Sequence, residues 1–209
     1  MFIFTEENIG NIKDSVYTKD GVKEKHAKKI ESIKDGMFGT FNYSKYKVKN
    51  PPKNTSMQVY NELQYLKDLP EDDGYVEEHD DIEKVFEQVC KENNLEYPKE
   101  LVERLLKSAT GIILDLKYHH NRPRPYDLDS SLKAVKMKSM NTPSYPSGHS
   151  AQGMLIASAL KDKYGKGSAF MQTAKNISDS RNVAHAHYKS DSKNGTELGK
   201  QLYKHTKKN

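Results

Sequence analysis

Residues 98–116, Pro-Lys-Glu-Leu-Val-Glu-Arg-Leu-Leu-Lys-Ser-Ala-Thr-Gly-Ile-Ile-Leu-Asp-Leu, decide the fold class. Leu101, Val102, Leu105, Ala109, Ile112, Ile113 and Leu116 recur at steps of three and four, the period of one helical face. The Pro-Lys-Glu opening suits a helix start, where proline lacks only an amide that has no partner there anyway. The same period supports helices outward in both directions, over 22–33, 57–69 and 81–93 before this stretch and over 147–164, 167–188 and 190–205 after it. Only 38–48 tempts a strand reading. The expectation is an all-α, single-domain helical bundle spanning 1–209, with an N-terminal helical part over 1–100 and a motif-bearing core over 101–209.

Composition fits that expectation. The chain has 209 residues, 34% hydrophobic and 30% charged, enough to bury one sizeable core. Mean hydropathy is −0.92, and the longest nearly apolar stretches, 109–116 and 151–160, fall short of the ~20 residues a membrane span needs. Met1-Phe2-Ile3-Phe4, followed by Thr5-Glu6-Glu7, has neither the basic nor the long apolar region of a secretory signal. The expected setting is therefore cytoplasmic, or at least not reached through a recognisable export signal, with no membrane partner. One cysteine excludes an internal disulfide and multi-cysteine metal sites, and no metal site is expected. Cys90 shares a helical spacing with Ile82, Phe86 and Val89 and reads as core.

Charge is unevenly placed. Residues 1–100 carry 15 Lys/Arg against 21 Asp/Glu, whereas 101–209 carry 19 against 8, so the second half prefers an anion. Only four of the 34 basic residues are arginine: Arg104, Arg122, Arg124 and Arg181. Where lysine supplies charge everywhere else, a guanidinium fork asks for a planar anion such as phosphate or carboxylate. The acidic run 71–83 does not fit a calcium loop, since aligning Gly74 with the required glycine puts Leu69 at the first ligand position. A solvated acidic turn is expected there.

Three segments of the basic half hold the chemistry. In Lys117-Tyr-His-His-Asn-Arg-Pro-Arg124-Pro125, prolines stiffen a stretch leaving a helix near Lys117, so Lys117 and Arg124 can converge on one anion. In Ser144-Tyr-Pro-Ser-Gly-His149, Ser147 is a good N-cap, Gly148 lets backbone approach a ligand, and the helix start favours phosphate. In the stretch from Ser180-Arg181 to His187-Tyr-Lys-Ser-Asp191, a continuous helix would align Ser180, Ala184, His187 and Asp191. If Ser190 instead caps a new helix, Asp191 still lies near His187. Either way a carboxylate fixes the imidazole tautomer and leaves the other ring nitrogen as nucleophile or base.

Together these segments resemble the phosphatidic acid phosphatase type 2 superfamily, which includes class A acid phosphatases and vanadium haloperoxidases. Its signature K-x6-R-P, P-S-G-H and S-R-x5-H-x3-D is met in order by Lys117, Arg124 and Pro125, by Pro146 to His149, and by Ser180, Arg181, His187 and Asp191. The match covers 117–191, with Gly195 similar to a small residue the family carries after the last motif; residues 1–100 match nothing. The resemblance implies a metal-independent acid phosphatase of soluble phosphomonoesters, with phosphotransfer to an alcohol as a further capacity. His187, oriented by Asp191, would form a phosphohistidine, and His149 would serve as acid and then base. Lys117, Arg124, Ser147, Gly148 and Arg181 would bind the phosphoryl oxygens. No cofactor is implied for that reaction, and phosphate or vanadate could occupy the site.

The chain departs from the family pattern at His185, which stands where the family usually has glycine and is expected either to crowd the pocket or to add a proton donor. Arg122, His119 and His120 fall in the variable spacer and are expected to be supporting or surface residues. A vanadium haloperoxidase and a non-catalytic phosphate-binding or structural protein are the alternative readings. Nucleic acid is not an expected partner, because lysines such as Lys133 and Lys136 are dispersed. Residues 1–100 are candidates for the pocket mouth or for a contact in a homo-oligomer.

Overall fold

A computed structural model describes residues 22–208, so the reading of Met1 to Glu7 lies outside the described residues. The described residues are helical and contain no strand. In chain order they form α1 (Glu24–Glu31), a 3-10 turn (Ser32–Asp35), α2 (Ser44–Val48), α3 (Met57–Lys67), α4 (Asp73–Glu78), α5 (Ile82–Glu92), α6 (Lys99–His120), α7 (Pro125–Leu128), a 3-10 turn (Lys138–Met140), α8 (Gly148–Tyr164), α9 (Gly167–Val183) and α10 (Lys189–Thr206). None of the described helices is long and apolar enough to cross a membrane.

Local chemistry sets most boundaries. Ser56, Asp81 and Ser147 each accept a hydrogen bond from the backbone amide three residues on, at 3.3, 3.2 and 3.4 Å, and so start α3, α5 and α8. At the other end of α6, Asn121 takes the left-handed conformation (φ 48°) and donates its amide to the Lys117 carbonyl at 2.9 Å. The helix therefore runs past its expected end at 116 and stops before the prolines.

Helix α8 is the axis of the molecule. From Ser150 to Leu160 every residue but Gln152 is buried, as expected of a helix with apolar contacts on all sides. One face packs with Leu105, Ala109, Ile112, Leu116, Leu198 and Leu202 of α6 and α10. The other packs with Phe86, Cys90, Phe170 and Ile177 of α5 and α9, which places Cys90 in the core as its spacing predicts. Helix α3 closes a further cluster in which Val59, Leu63 and Leu66 meet Leu128, Leu132 and Tyr188.

The approach of α8 to α10 brings the motifs together, and two glycines permit it. A Cβ on Gly195 would lie 2.3 Å from the Ser147 carbonyl oxygen, and one on Gly199 would lie 2.2 Å from that of Ala151. Neither oxygen can retreat, because both belong to helix backbone. Gly195→Ala is accordingly expected to push the start of α8 off α10, at a cost of about 1–3 kcal/mol of stability. Chemical unfolding checks the cost; a variant as stable as the parent would show that the contact is soft.

Three expectations are corrected. Residues 38–48 form a turn followed by α2, with Phe38 and Tyr46 buried against α6 and α10 rather than paired in a sheet. The helix expected over 167–188 ends at Val183, for a reason described below. The acidic run is not only a solvated turn: it contains α4, buries His79, and turns Asp80 towards the motif residues.

Candidate active site

Lys117 lies in the last turn of α6, and Arg124 is the N-cap residue of α7, its backbone amide held by Asp127 Oδ2 at 2.9 Å. Both side chains turn inward and are buried. Lys117 Nζ donates to the carbonyls of Pro143 (2.6 Å) and Ser144 (3.0 Å). Arg124 donates from Nε and Nη2 to the Thr142 carbonyl (3.1 and 2.9 Å) and from Nη1 to the Ala186 carbonyl (2.7 Å). The two cations thus meet at backbone carbonyls of the loop that leads into α8, with Arg124 also reaching Ala186, where the prolines suggested convergence on one anion. Gly148 faces Lys117, whose Cε would sit 3.8 Å from a Cβ there.

His187 stands at the centre of this group. Its Nδ1 faces Asp191 Oδ2 at 3.3 Å and Ser144 Oγ at 3.4 Å, while Arg124 Nη1 lies 3.4 Å from its Nε2. The carboxylate accepts a hydrogen bond from Nδ1–H, so the Nε2 lone pair is left for chemistry beside a guanidinium. Asp191 is fully buried and its oxygens accept four donors: Arg122 Nη1 on Oδ1 (2.5 Å), and Ser144 Oγ (2.5 Å), His187 and the Tyr188 amide (3.2 Å) on Oδ2. It occupies the third position of α10, with Tyr188 as N-cap residue, where the helix dipole also favours a negative charge. The continuous-helix alignment of Ser180, Ala184, His187 and Asp191 is therefore replaced by the two-helix arrangement, with Tyr188 rather than Ser190 as the cap.

The second half of the site is assembled on Asp80. Arg181, in the last turn of α9, donates from Nη1 to Asp80 Oδ1 at 2.6 Å. His149 Nε2, in the first turn of α8, lies 3.1 Å from the Asp80 carbonyl oxygen and 3.5 Å from its Oδ1. Ser180 Oγ accepts from Arg181 Nε (3.1 Å) and Nη2 (3.0 Å) and steadies the guanidinium. Ser147 Oγ accepts from the Ser150 amide and hydroxyl, the latter at 2.9 Å, which leaves its own O–H to donate. The halves meet at the start of α8, where the Ser147 amide donates to the Asp191 carbonyl at 3.1 Å.

Electrostatics separate the two histidines' roles from those of the carboxylates. Burial, reinforced by Arg124 and Lys117 against the pull of Asp191, holds His187 well below the ordinary histidine value, which favours the neutral ring. Burial also lowers His149, with the Asp80 hydrogen bond opposing. For Asp191, burial works against ionisation but Arg122, then His187 and Ser144, outweigh it and hold the carboxyl well below its usual range. Asp80 is pulled down to about 2, chiefly by His149 and, against burial, by Arg181. Burial and the nearby Arg124 push Lys117 well below the ordinary lysine value, so an arriving anion would be met by a cation whose charge it strengthens.

Other expected positions fall differently. His185 neither crowds the pocket nor adds a proton donor to it. Its Nδ1 and Nε2 face the carbonyls of Lys133 (2.9 Å) and Leu66 (3.0 Å), and its backbone is left-handed with φ 52°. The Ala186 amide, two residues past the C-cap Ala184, closes on the Arg181 carbonyl at 3.0 Å, the bond that ends a helix whose next residue is left-handed. This is why α9 stops, and why a glycine suits that position. His185→Gly is expected to be more stable than His185→Ala by about 1 kcal/mol, because alanine keeps the left-handed cost and both lose the side-chain bonds. Thermal unfolding of the pair reads this; alanine at parity would remove the strain argument.

His119 and His120 bond the Lys47 and Tyr46 carbonyls at 2.9 and 2.8 Å, outside the site. Arg122 is no surface residue, being 1% exposed. Ser144, Glu62 and Asp80 join this cluster without a mark in the sequence. The scarcity of arginine pointed to Arg122, but nothing distinguished those acidic residues among 29 carboxylates. Among the described residues, no group of three or more His, Cys, Asp or Glu is placed to hold a metal ion. Compared with known protein families and with curated proteins, the sequence matches none.

Proposed function

We propose that the protein is a metal-independent acid phosphatase of soluble phosphomonoesters that works through a phosphohistidine on His187. One observation carries this reading: the buried His187 has Nδ1 on a carboxylate at 3.3 Å and Nε2 beside a guanidinium at 3.4 Å. Such a ring suits an in-line nucleophile beside a phosphoryl cradle. Lys117, Arg124 and Arg181 hold the nonbridging oxygens with the start of α8. His187 Nε2 attacks phosphorus as the ester P–O bond breaks, and His149 gives its proton to the leaving alkoxide. His149 then takes a proton from water as the water oxygen bonds to phosphorus and the P–N bond breaks, and phosphate leaves. No long apolar helix accompanies the site among the described residues, which is compatible with a dissolved substrate.

The pH dependence follows from opposite requirements. His187 must be neutral, so the rate falls in acid as it gains a proton; His149 must be protonated, so the rate falls in base as it loses one. Both rings sit below the ordinary value of 6.5, which places the expected bell on the acid side of it. Release of p-nitrophenol from its phosphate ester between pH 4 and 10, with excess EDTA, tests both statements. EDTA-resistant turnover with an acid optimum is expected. A rate that climbs through pH 9 contradicts the assignment of the two histidines. Absence of turnover, with bromide oxidation by vanadate-loaded protein and peroxide, moves the site to haloperoxidase chemistry.

A further inference from the structure

Beneath the His187–Asp191 pair lies a second layer of charge that the signature residues do not include. Arg122 Nη1 donates to Asp191 Oδ1 at 2.5 Å and to Ser190 Oγ at 2.8 Å. Its guanidinium carbon lies 3.7 Å from the centroid of the Tyr188 ring, and its Nη2 lies 3.5 Å from Glu62 Oε2. Glu62, from α3, is fixed in turn by the Ser190 amide (2.9 Å) and hydroxyl (2.8 Å). We propose that Arg122, backed by Glu62, is a positioning residue that fixes both the orientation and the effective charge of Asp191 against His187; this rests on the phosphohistidine reading.

The geometry separates this role from that of a packing strut. Arg122 is buried, yet its Nε and Nη2 have no hydrogen-bond partner, so the fork is not placed where its donors are best satisfied. It is placed where one nitrogen meets Asp191 and its plane covers Tyr188. The result is an alternating row, Glu62, Arg122, Asp191, His187. A lone buried carboxylate beside His187 would favour the imidazolium, which has no Nε2 lone pair and cannot attack. Arg122 opposes that pull while leaving the carboxylate able to orient Nδ1, and Glu62 moderates Arg122.

Other charges reach the same ring. His187 faces Asp191 from α10, Arg124 from the start of α7 and Lys117 from α6, with the neutral Ser144 hydroxyl beside Nδ1. Arg122 faces Asp191, Tyr188 and Glu62. Arg124 and Lys117 already resist protonation of His187, so the row beneath sets the balance and does not act alone. Removing Arg122 lets Asp191 draw a proton onto the ring at higher pH. Removing the charge of Glu62 does the reverse.

The test uses the full chain with Arg122→Gln and Glu62→Gln, read two ways. Nitrogen NMR of labelled histidine follows the titration of His187 without substrate, and steady-state hydrolysis of p-nitrophenyl phosphate follows kcat and KM against pH. In Arg122→Gln the His187 titration and the acid limb of kcat are expected to move to higher pH, with kcat down roughly 10- to 100-fold and KM little changed. In Glu62→Gln both are expected to move to lower pH, by less. Arg122→Lys, which keeps the charge without the stacked fork, is expected to restore the titration better than the rate. An unmoved His187 titration in folded variants, or shifts of the same sign in both, overturns the proposal. If Arg122→Gln does not fold, Glu62→Gln, which keeps the oxygen facing Ser190, decides alone. A wild type that turns over no phosphoester defeats the phosphatase reading, while the NMR titration still decides the role of Arg122.

Discussion

His187→Ala is expected to abolish phosphatase turnover, by at least about 10⁴-fold, while leaving a folded protein that still binds orthovanadate weakly. The loss is chemical because the Nε2 lone pair has no substitute within reach: the neighbouring groups are the Arg124 guanidinium, the Lys117 ammonium and a Ser144 hydroxyl that donates to Asp191 at 2.5 Å. The fold survives because Asp191 keeps Arg122, Ser144 and the Tyr188 amide as donors when the imidazole is gone. The cation cradle survives because Lys117 and Arg124 are held by the carbonyls of Thr142, Pro143, Ser144 and Ala186, not by His187. Anion binding followed by calorimetry, beside turnover, separates the two. Undiminished turnover in the folded variant would remove His187 as nucleophile.

Asp191→Asn is expected to cost both stability and rate. The amide must present an N–H2 group to one of the two sets of donors that now meet the carboxylate, and it leaves the buried Arg122 facing the Glu62 carboxylate in place of two carboxylates. Breaking a buried ion pair from one side costs on the order of 3–5 kcal/mol. Turnover should fall by about 10³–10⁴, the size of effect seen where a carboxylate that fixes a histidine tautomer becomes an amide. The stability gap also depends on pH. The folded carboxyl of Asp191 lies well below its unfolded value, so its contribution is fully present above the ordinary carboxylate range and is lost as pH falls through it towards the folded value. Urea unfolding of both proteins should show the gap narrowing below about pH 4. A gap that is constant or widens in acid would mean that the pair with Arg122 is not what Asp191 contributes.

Much of the helical framework was legible because its helices obey simple rules. Apolar residues at steps of three and four marked α3, α5, α6, α8 and α10 to within a few residues, and Ser147 announced the start of α8. The end of α9 was not legible, since the left-handed position that stops it holds His185 instead of the glycine or asparagine that usually signals it. Segment 38–48 misled because Phe38 and Tyr46 are core residues of a turn and a short helix, too brief to show a period.

For the candidate site, the chain itself named the residues of the three motifs and the structure brings them into two adjoining clusters. What it could not name are the partners that arrive through space. Asp80 and Glu62 look like any other acidic residue of the first hundred, and their roles come from where α4 and α3 pack against the motif loops. In sequence Ser144 reads only as the approach to a helix, although its hydroxyl completes the shell around Asp191.

The proposed phosphatase reaction requires a covalent bond between phosphorus and His187 Nε2. Rapid quench of the wild-type protein with phosphorus-labelled p-nitrophenyl phosphate, followed by proteolysis and mass spectrometry, looks for that bond directly. The expected result is one phosphate per chain, labile in acid and stable in base, on the peptide that contains His187. Steady turnover with no trapped phosphoenzyme, or label on Ser144 or His149 instead, would contradict it.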